Sequence, residues 1–208
     1  MISNLSKMKN KIRILLTVAL AGLPLLSEGQ TFVLSKTGTA IAIRGTSSLH
    51  DWEMDLTSFN SDLLLNQEGS LIMGFDNVTF SCKATDIKSE SSLMDKKAYD
   101  ALKADYYPYI TFTGISGTGL VTRGNGFTGN LKGKLNIAGK TKDVTIPFDG
   151  NFTDSKTINI VASADLNMSS FNIIPPTAMF GALKTGDEIT VSFSLQFVQK
   201  STIEGSSY

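Results

Sequence analysis

Between Thr31 and Gln199 apolar and polar residues alternate in short runs. Phe32 and Leu34 alternate with Thr31, Val33 and Ser35, and Ile41 and Ile43 with Ala42 and Arg44. Successive side chains of a strand face opposite ways, so a period of two predicts strands with one covered face and one wet face. Trp52, Met54 and Leu56 continue the pattern against Asp51, Glu53 and Asp55. A further strand is predicted over about Ser58 to Leu65, with Gln67-Glu68-Gly69 as a hairpin turn. Leu71, Met73 and Phe75 share a face; past Asp76-Asn77 the apolar positions shift to Val78, Phe80 and Cys82. A parity change inside a strand is what one extra residue in a bulge produces.

The period becomes helical at Ser92 to Asp105. Ser92-Leu93-Met94-Asp95 fits a capping box, with Ser92 accepting from an amide of the first turn. Met94, Ala98, Ala101, Leu102 and Asp105 fall on one side, and Lys96, Lys97, Asp100 and Lys103 on the other. Pro108 excludes helical geometry at Tyr107 and ends the helix. The apolar face is narrow, so the helix is expected to plug or cover one end of the fold. The second half reads as hairpins. Phe127, Gly129, Leu131, Gly133, Leu135 and Ile137 share a face, Ala138-Gly139-Lys140 turns the chain, and Val144, Ile146 and Phe148 follow. Ile158, Ile160, Ala162 and Ala164 come next, and Ile189, Val191, Phe193, Leu195 and Phe197 form the last strand. About eight or nine hairpin-linked strands argue for a barrel or a sandwich. The small residues on these faces favour a barrel with a ligand cavity.

Composition alters this picture at the N-terminus. The 208 residues hold 19 basic and 19 acidic side chains. Lys7, Lys9, Lys11 and Arg13 precede an apolar run from Ile14 to Leu26, with small residues Ser27 and Gly29 before Gln30. The run is short for a membrane span and reads as a signal peptide over residues 1–29, cleaved near Gln30. No Cys follows it to carry a lipid anchor. Without that segment 15 basic and 18 acidic residues remain, a balance with no pull toward nucleic acid. The expected location is periplasmic or secreted. Residues 200–208 read as a frayed tail.

Candidate chemistry is sparse. Gly124-Asn125-Gly126-Phe127-Thr128-Gly129 spells the dinucleotide-binding glycine pattern, but a strand follows it where that motif needs a helix, so it reads as a hairpin turn. Cys82 is the single cysteine and shares strand parity with Val78 and Phe80, which makes it a buried apolar side chain. His50 is the single histidine. Ser48, His50 and Asp51 could spell a triad, but neighbours on a strand face opposite ways. His50 is read as a structural hydrogen-bonding residue or a polar contact to a ligand, with a catalytic or metal role as the weakest reading. Ser169 to Gly186 is a connection carrying Phe171, Ile173, Ile174, Met179, Phe180 and Leu183 around Pro175-Pro176. It is read as a loop over the barrel, and more sharply as a gate for an apolar ligand.

Four stretches resemble the YceI-like family. Tyr107-Pro108-Tyr109-Ile110-Thr111-Phe112 looks like its Tyr-Pro-x-Ile-x-Phe signature. Gly133 to Val144 looks like its G-x-L-x-I-x-G-x-T-K-x-V hairpin. Ser170-Phe171-Asn172-Ile173 stands where the family has Asp-Phe-Gly-Ile, and Gly186-Asp187-Glu188-Ile189 matches the lead-in to its last strand. The chain departs from the family in lacking an Arg-Asp-x-x-Leu run before the helix. The resemblance implies an all-β fold: an extended eight-stranded antiparallel lipocalin-like barrel with one short helix covering an end, over residues 30–199. It also implies an exported, non-catalytic protein that holds a polyisoprenoid or similar long apolar lipid. The alternatives are a structural or interaction barrel with a filled core, and an enzyme using His50. The expected ligand-binding residues are Phe75, Phe80, Phe112, Leu135, Ile137, Phe148, Phe193 and Leu195 on the walls. Phe171 and Phe180 stand at the entrance, with His50 and Trp52 as polar and aromatic contacts. No catalytic or metal-ligating residue and no cofactor is expected, apart from a bound isoprenoid lipid or quinone. The expected partner is an apolar lipid, not nucleic acid; a homodimer is left open.

Overall fold

Alternation becomes an antiparallel ladder because each predicted turn lets the next run fold back on the last. In the computed structural model, which describes residues 30–68 and 71–200, the strands are β1 (Gln30–Leu34), β2 (Ala40–Ser47), β3 (Trp52–Leu56), β4 (Asn60–Glu68), β5 (Leu71–Lys83) and β6 (Ile87–Lys88). After helix α1 (Ser92–Leu102) come β7 (Tyr109–Arg123), β8 (Gly126–Ile137), β9 (Lys140–Asp154), β10 (Thr157–Asn167), β11 (Thr177–Ala178) and β12 (Leu183–Gln199). The signal peptide read over residues 1–29 and the tail past Lys200 lie outside the described residues.

The ring runs β1-β4-β5-β7-β8-β9-β10-β12 and closes where β12 pairs with β1, giving a closed eight-stranded antiparallel barrel. Its first three staves are bent, and each is two segments in sequence. β12 pairs with β1 at Leu34↔Phe197 and with β2 at Ile41↔Phe193. β2 in turn pairs with β3, and β3 with β6, just beyond β5. The bends are stitched together. Ser35 donates its amide to the Gln196 carbonyl at 2.8 Å, and the amide and hydroxyl of Thr57 both reach the Asp86 carbonyl, at 2.9 and 2.8 Å.

The bulge expected at Asp76-Asn77 is present: Leu64 pairs with Asn77 and Leu65 with Phe75, which leaves Asp76 as the extra residue. A second bulge at Met73 overturns the grouping of Met73 with Phe75. Asn66 pairs with Gly74 and Gln67 with Ile72, so Ile72 is buried and Met73 is exposed. Gln67 and Glu68 belong to the ladder rather than to a turn. The helix also differs from its expectation. Ser91, not Ser92, is the cap, its hydroxyl accepting from the Met94 amide at 3.4 Å. The helix ends at Leu102, short of Asp105, because Lys103 turns into the left-handed region at φ 54°. The last strand begins at Leu183, six residues ahead of Ile189, so with Thr177–Ala178 a third of the expected connection is sheet.

One end of the barrel is filled. Phe32, Leu63, Leu65, Ile72, Phe75, Phe127, Phe148, Ile158 and Phe197 form a buried cluster. Its aromatic rings meet edge to face or tilted, with centroids 5.4 Å apart for Phe75–Phe148 and 5.7 Å for Phe127–Phe152. Inward-facing glycines provide seats for rings: a Cβ at Gly150 would strike the ring of Phe127, and one at Gly133 the ring of Phe112. These small residues therefore admit bulk rather than leave space. Phe127→Ala is expected to cost about 3–5 kcal/mol in equilibrium urea unfolding. Phe180→Ala, on a fully exposed ring, is expected to stay within about 0.5 kcal/mol.

Candidate functional site

Beyond the aromatic floor the inward side chains line the interior without filling it. A cavity of about 890 Å³ remains. Its walls are overwhelmingly apolar. Ile41, Ile43, Met54 and Leu56 come from β2 and β3, Phe80 and Cys82 from β5, Ile110 and Phe112 from β7, and Val191, Phe193 and Leu195 from β12. The helix closes the other end. Met94, Ala98 and Leu102 pack on the Ile41–Met54–Leu56–Cys82–Ile87 cluster, while Met94, Lys97, Ala98 and Ala101 also face the cavity. The helix thus covers a barrel end, as its narrow face predicts, and also forms part of the cavity lining, which that reading did not include.

Three segments meet at this mouth: α1, the loop from Ser47 to His50, and the β11–β12 hairpin. Lys97 Nζ donates to the Thr177 carbonyl at 2.6 Å. The Ser48 amide donates to the Lys184 carbonyl at 2.9 Å, and the Lys184 amide to Ser48 Oγ at 3.0 Å. Asp95 anchors the helix from below. Burial pushes its carboxyl up, but hydrogen bonds from the Ser89 hydroxyl (2.8 Å) and amide (2.7 Å), with the Lys88 ammonium 3.6 Å away, outweigh burial and hold it below the usual carboxylate range.

The expected wall residues Phe75, Phe80, Phe112, Leu135, Ile137, Phe148, Phe193 and Leu195 all border the cavity, as do His50, Trp52 and Phe171. Phe180 does not. It sits at the tip of the β11–β12 hairpin with its ring wholly in solvent and its backbone at φ 54°, pointing away from the entrance. Phe171 is buried with Ile137, Ala138, Met168 and Ile173. His50 lies in the exposed β2–β3 loop. Its Nδ1 stands 2.6 Å from the main-chain oxygen of Asp51, and a carbonyl can only accept, so that nitrogen carries the proton. The imidazole meets neither the Asp51 carboxylate nor Ser48, whose hydroxyl accepts from Lys184. No triad is assembled there. Trp52 donates Nε1–H to the Thr46 carbonyl at 3.0 Å and lies over Gly45.

The Gly124–Gly129 stretch is the two-residue β7–β8 turn at Gly124-Asn125, with Gly124 at φ 59°, followed by the first residues of β8. The contribution of α1 was missed by the sequence reading. Helical periodicity identifies an apolar face but not what lies opposite it.

The quoted motifs meet in space. The ring of Tyr107 lies against Gly139, where a Cβ would overlap it. Ala138 and Gly139, at φ 50° and 76°, make the tight β8–β9 turn. Asp187 accepts from the amide and hydroxyl of Ser169, at 2.8 and 2.5 Å. Asn172 adopts φ 58°, a left-handed conformation that Asn tolerates.

Comparison with known proteins agrees with this geometry. A family model described as the YceI-like domain matches residues 29–197. A polyisoprenoid binding domain from Saccharophagus degradans, implicated in plant cell wall breakdown, superposes with a TM-score of 0.63 at 9% identity, covering 82% of this chain and 99% of that one. BcnA from Burkholderia cenocepacia gives 0.59 at 18% identity, covering 76% and 95%. The YCEI protein of Campylobacter jejuni gives 0.53 at 19% identity, covering 72% and 85%. At these identities the likeness to the solved structures is one of fold. No curated protein matched the chain.

Two outcomes are expected. Burial, the negative charge of Asp86 and only a weak counteracting hydrogen bond at Ile110 push the Cys82 thiol up to about 12. Cys82 should resist iodoacetamide at pH 8 in the native protein and react on unfolding, as followed by mass spectrometry. Asp95→Asn should lower stability by about 1–2 kcal/mol at pH 7. Because the folded carboxyl binds its proton less tightly than the unfolded one, this stabilisation is complete above the unfolded value and fades as pH falls through the lower folded value. Urea melts of the two proteins should therefore draw together as pH falls below the ordinary carboxylate range.

Proposed function

The chain belongs to the YceI-like family, and from that premise we propose that it is an exported, non-catalytic binding protein whose barrel holds a long apolar lipid of the polyisoprenoid class. The observation that carries this reading is the cavity: about 890 Å³ inside the barrel with an apolar lining, within the range of small-molecule sites. Each CH₂ moved from water into such a site contributes about 0.8 kcal/mol. Several isoprene units would therefore offset an ordering cost of several kcal/mol. A barrel built only as a scaffold has no reason to keep this volume unfilled.

Selectivity for an uncharged chain follows from the walls, which offer no buried cation or carboxylate to a charged group. His50, Lys97 and Lys184 stand at the mouth, outside the apolar interior. Export rests on the basic residues and apolar run before Gln30. A catalytic role for His50 finds no support in its surroundings, since its ring meets main chain rather than a carboxylate.

Trp52 is the single tryptophan and lines the cavity, which makes it an internal reporter. An isoprenoid quinone should quench its emission saturably, and organic extracts of the purified protein should contain a co-purifying isoprenoid lipid by mass spectrometry. Val191→Trp, which fills space on the cavity wall, should weaken binding of a radiolabelled isoprenoid quinone by at least about tenfold while preserving the fold, because overpacked chains lose the room they bury into. Lipid-free extracts together with no saturable quenching would refute the proposal.

A further inference from the structure

We propose that the gap between β9 and β10 is a side portal of the cavity, through which a single-chain amphiphile with an uncharged polar end enters and leaves. This rests on the lipid-binding reading above. Around most of the ring the cavity meets alternate residues only: on β2 it reaches Ile41 and Ile43 but not Ala42, and on β12 Val191 and Phe193 but not Ser192. On β9 it meets every residue from Val144 to Phe148, and on β10 every residue from Ala162 to the strand's end at Asn167. Neighbouring side chains of a strand point to opposite faces. A cavity that reaches both kinds has passed through the wall.

The ladder shows why. β9 and β10 are paired from Asp154↔Thr157 to Phe148↔Ala162, and there the pairing stops. The outer edges of the same segments remain paired, β9 with β8 as far as Ile137↔Lys140, and β10 with β12 as far as Asn167↔Glu188. The two staves therefore diverge while each stays fixed to its other neighbour. Pro147, which has no amide proton, sits at the parting. The β8–β9 ladder passes it at Asn130 without a shift, so the β8 side does not need the missing donor. Beyond the gap, the 3-10 turn Met168–Phe171 packs on Ile137 and Ala138 and bounds the slit.

The slit differs chemically from the rest of the lining. Main-chain N–H and C=O groups along its two facing edges have no ladder partner across it, and such groups favour hydrogen bonding. The outward residues beside them are Thr145, Ser163 and Asp165. Asp165, whose Oδ1 accepts from Thr190 at 2.6 Å, disfavours an anion at the rim. A hydroxyl or quinone carbonyl fits this edge while the apolar chain lies inside. The mouth under α1, by contrast, is strapped by the Lys97–Thr177 and Ser48–Lys184 hydrogen bonds.

The test is a reversible bridge across the slit. In a Cys82→Ala background, Thr145→Cys and Asp165→Cys are joined by a short bis-methanethiosulfonate reagent. Lys134→Cys and Asp143→Cys, which face each other across the intact β8–β9 ladder, receive the same reagent as a control. Stopped-flow quenching of Trp52 by decyl-ubiquinone is the readout. Bridging the slit should slow both association and release at least about tenfold, as expected when an access route limits exchange. The equilibrium quench should be unchanged, and reductant should restore the rates. Unchanged rates in the slit-bridged protein, or equal slowing in the control, would overturn the portal while leaving lipid binding intact. Absence of saturable quenching in the unbridged protein would overturn the lipid-binding reading and the portal with it.

Discussion

The structure depends on the hydrogen-bond ladder of β12. One edge of this strand is bonded to β10 from Glu188 to Val198, and the other is shared between β1 and β2. Without that shared edge the ring would be an open sheet with two long exposed edges, a template for aggregation. Sharing it requires the first stave to break, because β1 and β2 must follow the twist of a 17-residue partner. The breaks in the second and third staves keep step with the first, and the Thr57–Asp86 hydrogen bonds hold those two bends in register. The extended shape of the barrel follows from this one strand.

Closure places every inward side chain in a single interior, and the two ends use that space differently. At the β1 end, glycines let phenylalanine rings lie flat on the wall and meet at the centre. At the α1 end aliphatic and aromatic residues pack into a wall cluster under the helix but leave a cavity between them, so the helix acts as a lid on an unfilled volume. Asp95 is suited to hold that lid: its carboxylate binds the Ser89 amide and hydroxyl and lies near Lys88, linking the helix to the strand that precedes it. The family motifs belong to this support structure. Tyr107 on Gly139 and Asp187 on Ser169 fix turns and connections, which explains how such motifs can identify a fold without specifying what the cavity takes.

Much of this was legible in the sequence because strand parity is a local property. Alternation alone groups Leu135 with Ile137 and Phe193 with Leu195 on shared faces, and its interruption shows the Asp76 bulge; which face of each strand turns inward is decided by closure. Parity failed at Met73, where a second bulge lies three positions before the expected face change and the short run between them conceals the shift. It failed for Phe180 because an apolar residue in a connection carries no periodicity to show which way it points. The cap moved from Ser92 to Ser91 because adjacent serines offer the same oxygen, and the partner of Asp95 lies outside the helix.

The sequence by itself determined where most strands and the helix lie and which residues of a strand share a face, since each of these rests on neighbours within a few residues. Tertiary structure alone decided that the inner glycines seat rings, that α1 lines the cavity as well as covering it, and that β9 and β10 part after Phe148. These depend on distances between residues far apart in the chain, and a pattern of apolar positions contains no information about the space between two faces until the ladder has closed around it.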